Sequence, residues 1–325
     1  MIFGIRWSAS ALAICISLPV GAEPPDAQLL MERMADASKT LNYDGVFIYQ
    51  RGSDLDTMRV IHSVGRDGER ERLISLTGPE REVIRDNSEV KCVYSDRKAI
   101  MVEKRGARDI VPLALSEPVT KLADHYRFTV SGEDRIADRS CWVVDIEANS
   151  EFRYNYRMWI DKQHHLVLKS TVQGLDGAPL EQVQFTRLDV LDEIPESLLQ
   201  PGLSGPEYER IAVETETASA PAADTVGQEW RVSWLPAGFE MQDKKVQMMS
   251  ADRMPVSHRV YSDGMAMVSV FVEKLMSSDI PLRGFSTMGA VNAYSLVNKE
   301  YQITVVGEVP RAAVRQIAGS VAPRP

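Results

Sequence analysis

Residues 126–188 constrain the fold of this chain more than any other segment, because short apolar runs alternate there with turn signals. Mostly apolar side chains recur at every second position in residues 154–160 and again in residues 166–172. The Asp176-Gly177 pair that follows supplies the positive φ of a tight reversal. The pattern predicts an antiparallel meander with one apolar face, which a helix, a second sheet or a ligand must cover.

The first 22 residues have the features of a secretory signal peptide. Arg6 precedes an apolar run at residues 9–18, and the small residues Val20 and Ala22 suit signal peptidase. This run is too short to cross a bilayer as a helix. The sequence therefore predicts that residues 1–22 are a signal peptide and that the mature chain is exported.

Residues 23–194 are predicted to form the larger of two domains. The domain begins with a helix that carries four apolar residues on one face, namely Leu30, Met34, Ala37 and Leu41. About nine to eleven short strands follow, separated by glycine, asparagine and aspartate turn signals. This content is typical of a long, curved antiparallel sheet around helices, a half-open β-barrel that can leave an apolar concavity.

Residues 195–229 are predicted to be an acidic linker, in which proline, glycine and alanine are frequent and Arg210 is the single basic residue. Residues 230–320 are predicted to form a smaller domain with a sheet of about four or five strands and one or two helices. The turn signal Ser262-Asp263-Gly264 lies between two apolar runs and indicates a hairpin. The chain as a whole is assigned to the α+β class.

The charge balance and the absence of known catalytic motifs argue against several classes of function. The chain has 37 basic and 46 acidic residues, whereas a protein that binds nucleic acid is usually basic. The five histidines form no metalloprotease motif, and there is no nucleophile elbow, phosphate loop or dinucleotide fingerprint. We therefore expect neither an enzyme nor a bound cofactor or metal.

The large domain is rich in aromatic residues, including Tyr94, Tyr154 and Phe185. Six others are candidates for lining a pocket that binds lipid acyl chains: Phe47, Tyr49, Phe128, Trp142, Tyr156 and Trp159. The alternative is that they form an ordinary core. Because a lipid pocket and a core have the same composition, the sequence leaves both interpretations open.

Two cysteines, Cys92 and Cys141, remain after removal of the signal peptide, and each lies in a strand-like run. An even number of cysteines in an exported chain is compatible with a disulfide between them. Two buried thiols are the alternative. A metal site is not expected, because two separated cysteines without a nearby histidine do not make a ligand set.

Short motifs in a shared order connect this sequence to a known family. The matching runs are residues 41–43, 78–83, 135–139 with Cys141, Trp159 with Asp161, 176–177 with 180–182, 234–236 with 238–239, 254–255, 261–264 and 305–308. With these motifs, the chain resembles the RseB/MucB family of periplasmic regulators of the envelope-stress (sigma-E type) response. The resemblance extends over essentially the whole mature chain.

The resemblance implies a large domain with the lipoprotein-carrier fold and a small domain that contacts the periplasmic region of a membrane anti-sigma factor of the RseA or MucA type. It implies that the bound protein shields the anti-sigma factor from the site-one protease. Lipopolysaccharide or the acyl chains of mislocalised lipoprotein would then relieve the block by competing for the regulator. A homo-oligomer is left open.

The hairpin signal in the small domain supplies candidate contacts for the anti-sigma peptide. Arg259, Tyr261 and Asp263 are chosen because they lie around this turn, which contains the matching motif at residues 261–264 and is expected to be exposed. The alternative function, from a different class, is a periplasmic carrier of lipid or lipoprotein. A carrier would use the large domain and would have no need of the small one.

Overall fold

The computed structural model describes residues 24–66, 68–86, 89–104, 115, 117–213, 230–247, 256–277 and 279–323. The predicted signal peptide, residues 1–22, lies outside the described residues, as does the second half of the predicted linker, residues 214–229.

The described part of the larger unit is a single sheet of twelve strands in the order β12-β6-β5-β4-β3-β2-β1-β11-β10-β9-β8-β7. The strands are β1 (Asn42–Arg51), β2 (Asp54–Gly65), β3 (Gly68–Ser75), β4 (Arg81–Asp86), β5 (Glu89–Tyr94), β6 (Ala99–Lys104), β7 (Tyr126–Ile136), β8 (Arg139–Ala148), β9 (Asn155–Asp161), β10 (Val167–Gln173), β11 (Pro179–Leu191) and β12 (Glu209–Val213). All neighbours pair antiparallel except β6 and β12, which pair parallel. The sheet is open, with β7 and β12 at its edges.

Three helices accompany this sheet: α1 (Ala27–Thr40), α2 (Val119–Leu122) and α3 (Glu196–Leu199). Helix α1 starts where the Asp26 carboxylate accepts the backbone N–H of Leu29 at 2.7 Å, which satisfies one of its free donors. Its buried face carries Leu30, Met31, Met34 and Ala37. These side chains are divided between two core clusters of the sheet, so α1 covers the apolar face that the alternating pattern predicts.

The smaller unit contains a six-stranded sheet in the order β14-β15-β16-β19-β18-β17. Its strands are β14 (Glu240–Gln247), β15 (Val256–Ser262), β16 (Met267–Lys274), β17 (Gly284–Met288), β18 (Val291–Asn298) and β19 (Tyr301–Gly307). Helix α4 (Arg311–Ser320) packs on this sheet, and β13 (Trp230–Val232) pairs with β20 (Val321–Pro323) beside it. The sequence predicts about four or five strands, whereas the structure has six. The difference arises at β17, because every residue of this strand is exposed and its sequence has no apolar alternation.

The first half of the predicted linker contains ordered elements. Residues that were assigned to a linker from position 195 form α3 and then β12, which extends the large sheet beside β6. Leu199 of α3 packs with Ile61 and Ile194 in a small buried cluster. Proline and acidic residues predict a linker, but they do not reveal that residues 209–213 pair as a strand with the edge strand β6.

The fold class is confirmed. The chain consists of a large open antiparallel sheet with few helices and a second, smaller sheet with a packed helix. In the described residues the large sheet does not close into a barrel.

Candidate functional site

The two domains meet at the turn that links β15 and β16. We call the region of contact between the two domains the domain seam, and this turn lies within it. The Asp263 Oδ1 atom accepts the backbone N–H groups of Met265 at 3.0 Å and Ala266 at 2.9 Å, so the turn is closed by its own aspartate. Gly264 has a φ of +95°, and a Cβ there would lie 2.6 Å from the Glu117 Cβ of the large domain. The Asp-Gly sequence therefore provides both the turn and the close approach of the domains.

Arg153 of the large domain binds this turn. Its Nε donates to the Asp263 Oδ2 at 2.7 Å, and the Tyr126 hydroxyl donates to the same oxygen at 3.0 Å. Its Nη2 donates to the carbonyl oxygen of Ala237 in the small domain. The Arg153 side chain is 3% exposed and that of Asp263 0%. A buried ion pair is stable only when its charges are well paired, and these additional hydrogen bonds provide that pairing.

Burial raises the pKa of the Tyr126 hydroxyl, and the Asp263 carboxylate raises it further. The hydroxyl therefore keeps its proton and remains a donor to Asp263 near neutral pH.

A second group of polar contacts crosses the seam near the turn between β17 and β18. The Asn292 Nδ2 donates to the hydroxyl of Tyr154 at 2.8 Å. The Glu181 carboxylate accepts the Ala290 N–H at 3.0 Å and the Tyr49 hydroxyl at 2.8 Å. Both sides therefore contribute directional bonds, which fix the angle between the domains as well as holding them together.

Apolar contacts accompany these bonds. Ala290 and Met265 of the small domain pack with the large-domain core, and Phe152 packs with the small-domain core. The Phe152 ring meets Trp234 edge to face, with centroids 5.0 Å apart. Each domain thus places residues into the other, so separating the domains would expose apolar surface to water.

Glu308 is a half-buried carboxyl close to the seam. Burial raises its pKa, and the negative charge of Glu181 raises it further. The other titratable groups that interact with this pair include Tyr49, Arg51, Tyr154 and Tyr156 of the large domain. Ionised Glu308 therefore opposes the folded, docked arrangement.

We expect Glu308→Gln to stabilise the protein near pH 7. Because the folded-state pKa exceeds the unfolded value of about 4.5, the wild-type protein loses stability as pH rises through the folded-state pKa. The glutamine should remove this loss and increase the free energy of unfolding relative to the wild-type protein. Urea unfolding from pH 4 to pH 8 measures the effect. Glu300→Gln, at an exposed carboxyl, should leave the pH profile unchanged, and an unaltered profile for Glu308→Gln would contradict the assignment.

The three residues that the sequence suggested as peptide contacts are buried: Arg259 is 4% exposed, Tyr261 6% and Asp263 4%. Tyr261 belongs to the small-domain core, and Asp263 is bound by Arg153. The Arg259 Nη1 donates to the hydroxyl of Ser257 at 2.8 Å. The interpretation of an exposed contact surface is therefore wrong for this structure. It assumed that a hairpin turn faces solvent, whereas this turn is covered by the other domain.

The six aromatic candidates for a lipid pocket are all part of the packed core. Phe47, Tyr156 and Trp159 are buried, and the remaining three, Tyr49, Phe128 and Trp142, are half-buried against the same two clusters. The structure therefore favours the core interpretation of these residues.

A small apolar cavity lies elsewhere in the large domain, between α1 and the sheet. Its volume is about 20 Å³, and its lining includes none of the six candidates: Ser38, Tyr43, Val60, Leu166, Val167, Phe185 and Leu188. A cavity needs roughly 10–15 Å³ to hold one water molecule, so this cavity is far smaller than an acyl chain. Because Ser38 belongs to α1, the cavity can grow only if α1 or the side chains beneath it move.

Cys92 and Cys141 carry thiols, so the possible disulfide between them is not formed. Cys92 lies on β5 and Cys141 on β8, eight strands apart in the sheet order. At about 4.8 Å per strand, this is roughly 38 Å along the sheet, whereas a disulfide requires Cα atoms within about 7 Å. Burial raises the pKa of the Cys141 thiol to about 11, so this thiol is protonated and unreactive near neutral pH.

A metal site and a membrane-spanning helix each have their own structural requirements. Within the described ranges, no group of three or more histidine, cysteine, aspartate or glutamate side chains is placed to hold a metal ion. The helices in those ranges are all too short or too polar to span a bilayer.

Two family models match this chain. The MucB/RseB N-terminal domain matches residues 26–203, and the MucB/RseB C-terminal domain matches residues 224–322.

Curated relatives match over nearly their whole length. The sigma factor AlgU regulatory protein MucB of Pseudomonas aeruginosa is 30% identical over 302 residues, which cover 92% of this chain and 91% of the relative. The sigma-E factor regulatory protein RseB of Salmonella typhimurium is 28% identical over 319 residues, or 97% of this chain and 96% of the relative.

Solved structures match across both domains. A complex of Pseudomonas aeruginosa MucA and MucB contains a chain that is 29% identical, with a TM-score of 0.73, covering 93% of this chain and 100% of that one. MucB in complex with MucA(peri) gives a TM-score of 0.71 at 28% identity, covering 92% of this chain and 100% of that one. The similarity therefore includes the arrangement of the two domains.

Proposed function

This chain belongs to the MucB/RseB family, and from that membership we propose that it is a periplasmic regulator that binds the periplasmic region of a membrane anti-sigma factor. Bound in this way, it shields the anti-sigma factor from site-one proteolysis, and lipid or lipoprotein stress signals release it. The observation that carries the proposal is the match, over 93% of this chain, to a structure solved as a MucA/MucB complex.

The relatives named above are regulatory proteins of sigma factors. The prediction that this chain is not an enzyme is confirmed by its membership of that family.

The domain seam supports a mechanism of release. Arg153 and Asp263 are buried where the two domains meet. A ligand in the large domain and a peptide on the small domain can therefore favour different domain arrangements. Thermodynamic linkage makes the effect reciprocal, with typical coupling free energies of about 1–3 kcal/mol.

Helix α1 is the element that a lipid would have to displace. Its buried side chains Met31 and Met34 fill the space above the sheet, and Ser38 borders the apolar cavity. An acyl chain can enter only by taking the place of such side chains, because the cavity is too small in this conformation. Helix α1 packs in one core cluster with residues of α2 and with Tyr126 of β7. Movement of α1 would therefore disturb Tyr126, whose hydroxyl donates to Asp263 in the domain seam.

Calorimetric titration tests the proposal. The mature protein is titrated with the periplasmic region of its cognate anti-sigma factor, with and without lipopolysaccharide. We expect binding that weakens about 5- to 150-fold with the lipid, the range for a typical coupling free energy.

The matched control is the deacylated saccharide of the same lipopolysaccharide, which should leave the affinity unchanged. Absence of binding in both conditions would overturn the assignment of the partner and leave the lipid carrier as the better alternative.

A further inference from the structure

Strand β17 is an open edge of the small-domain sheet. It pairs with β18 on one side, and all five of its residues, Gly284–Met288, are exposed. Apolar side chains lie within and just before it: Ile280 is 90% exposed, Leu282 62% and Met288 52%. Large exposed apolar side chains beside unpaired strand groups are unusual on a protein surface and indicate an interaction site.

The hairpin geometry shows which backbone groups of β17 face outward. Met288 is opposite Val291, so Gly289 and Ala290 form a two-residue turn. Gly289 has a φ of +59°, which fits the first central position of a type II′ turn. In such a hairpin the closing pair exchanges both hydrogen bonds, and the alternation then points the N–H and C=O groups of Thr287 outward.

The same alternation leaves the N–H and C=O groups of Phe285 directed outward, since Phe285 lies two residues before Thr287. Two of the five residues thus present donor and acceptor pairs at about the spacing that an added strand requires.

A basic surface borders this edge. The Arg311 guanidinium of α4 lies over the Phe285 ring, 4.2 Å from its centroid, so this flank of α4 faces β17. Arg315 is one helical turn further on the same flank and is exposed, as is Arg311. Arg283, just before the strand, is also exposed.

The acidic groups of this region do not cancel that charge. Glu300 is paired with Lys274 at 3.1 Å, Glu308 is half-buried, and the half-buried Asp279 carboxylate accepts the Met276 N–H at 2.7 Å. The exposed charge beside β17 is therefore positive, which suits an acidic ligand.

We infer that β17 binds its partner by strand addition: an extended, acidic segment of the anti-sigma factor pairs with Phe285 and Thr287 and places its carboxylates against Arg311 and Arg315. This inference rests on the proposed function. Main-chain hydrogen bonds supply affinity in such complexes, and alternate side chains supply specificity. The apolar residues Ile280 and Leu282 extend the contact beyond the strand.

A proline at Thr287 tests the strand addition. Thr287→Pro removes the outward N–H without removing a bond to β18, and Ser286 before it already has the extended conformation that proline favours. We expect the Kd for the periplasmic region of the anti-sigma factor to rise about tenfold or more. Thr287→Val is the matched control: it also loses the side-chain bond to Asn292, but it keeps the N–H and should change the Kd less than about twofold.

Hydrogen exchange of the wild-type complex gives a readout that does not depend on the folding of a variant. The amides of Phe285 and Thr287 should exchange rapidly in the free protein and become protected by the partner. Rapid exchange of both amides in a saturated complex would overturn the inference.

Charge reversal tests the acidic partner. Arg315→Glu should weaken binding about tenfold at low salt and less at high salt, because exposed charges are screened. Arg231→Glu makes the same change in net charge on β13 and should have little effect.

The outcomes separate this inference from the proposed function. If the wild-type protein binds the partner but Thr287→Pro binds equally well, strand addition is wrong and the proposed function stands. If Thr287→Pro instead abolishes self-association in sedimentation experiments without affecting the partner, the edge pairs with a second copy. If the wild-type protein binds no anti-sigma factor, both are overturned.

Discussion

Asp263→Asn is expected to lower the free energy of unfolding by about 3–5 kcal/mol, because removing one partner of a buried ion pair leaves the other charge uncompensated. Arg153 is 3% exposed and would keep its charge in a site from which water is excluded. The asparagine retains an oxygen that can close the turn through the N–H groups of Met265 and Ala266. The loss of stability would therefore measure the ion pair between the domains and not the closure of the hairpin turn.

Two measurements check this prediction. Urea unfolding gives the stability, and small-angle X-ray scattering should show a larger radius of gyration if the domains separate before they unfold. The double variant Arg153→Met with Asp263→Asn should recover part of the loss, since it leaves no unpaired charge.

An exposed ion pair provides the control. Asp138 pairs with Arg135 on the surface, with 82% and 70% of the side chains exposed. Asp138→Asn should leave stability unchanged, because such pairs contribute little. Equal losses for Asp138→Asn and Asp263→Asn would contradict the importance of the seam.

Phe185→Ala is expected to cost about 3–5 kcal/mol in the free energy of unfolding and to enlarge the cavity under α1. Phe185 is 3% exposed, lines that cavity and meets the Phe47 ring edge to face, with centroids 5.5 Å apart. Removal of the ring would add the volume of the ring to the existing cavity. Apolar cavities of this kind stay dry and bind small apolar molecules.

Urea unfolding measures the cost, and a fluorescent fatty acid measures the new binding capacity. We expect the variant to bind the probe more tightly than the wild-type protein does. Phe285→Ala removes the same side chain from an exposed position and should cost about 1 kcal/mol or less without a gain in probe binding. A stable Phe185→Ala variant with unchanged probe affinity would show that the domain admits lipid by another route.

The meander was predictable because its determinants are local. Alternation at residues 154–160 and 166–172 corresponds to β9 and β10, and Asp176-Gly177 forms the turn before β11. The period of two places side chains on alternating faces regardless of what covers them. The apolar face of α1 was predictable for the same reason, since its spacing follows the helical period.

The candidate site was much less predictable. The Asp-Gly turn was identified correctly as a hairpin, but Arg153 lies 110 residues away from Asp263 in the sequence. Arg153 is one of many charged residues in the chain, and its residue type does not indicate that it is buried. The exposed β17 edge was also missed, because exposed strands lack the apolar alternation on which the prediction depends.

The α+β class, the order of the main elements and the membership of the RseB/MucB family can be predicted from the sequence, because they depend on local periodicity and on short motifs. Which turn is buried, which strand edge stays open and how β12 joins the large sheet become visible only in the folded chain. Burial and hydrogen bonds between distant segments depend on where the fold brings those segments together. The Asp263-Gly264 turn would face solvent in an isolated small domain. Here it is buried because the large domain supplies Arg153 and Tyr126.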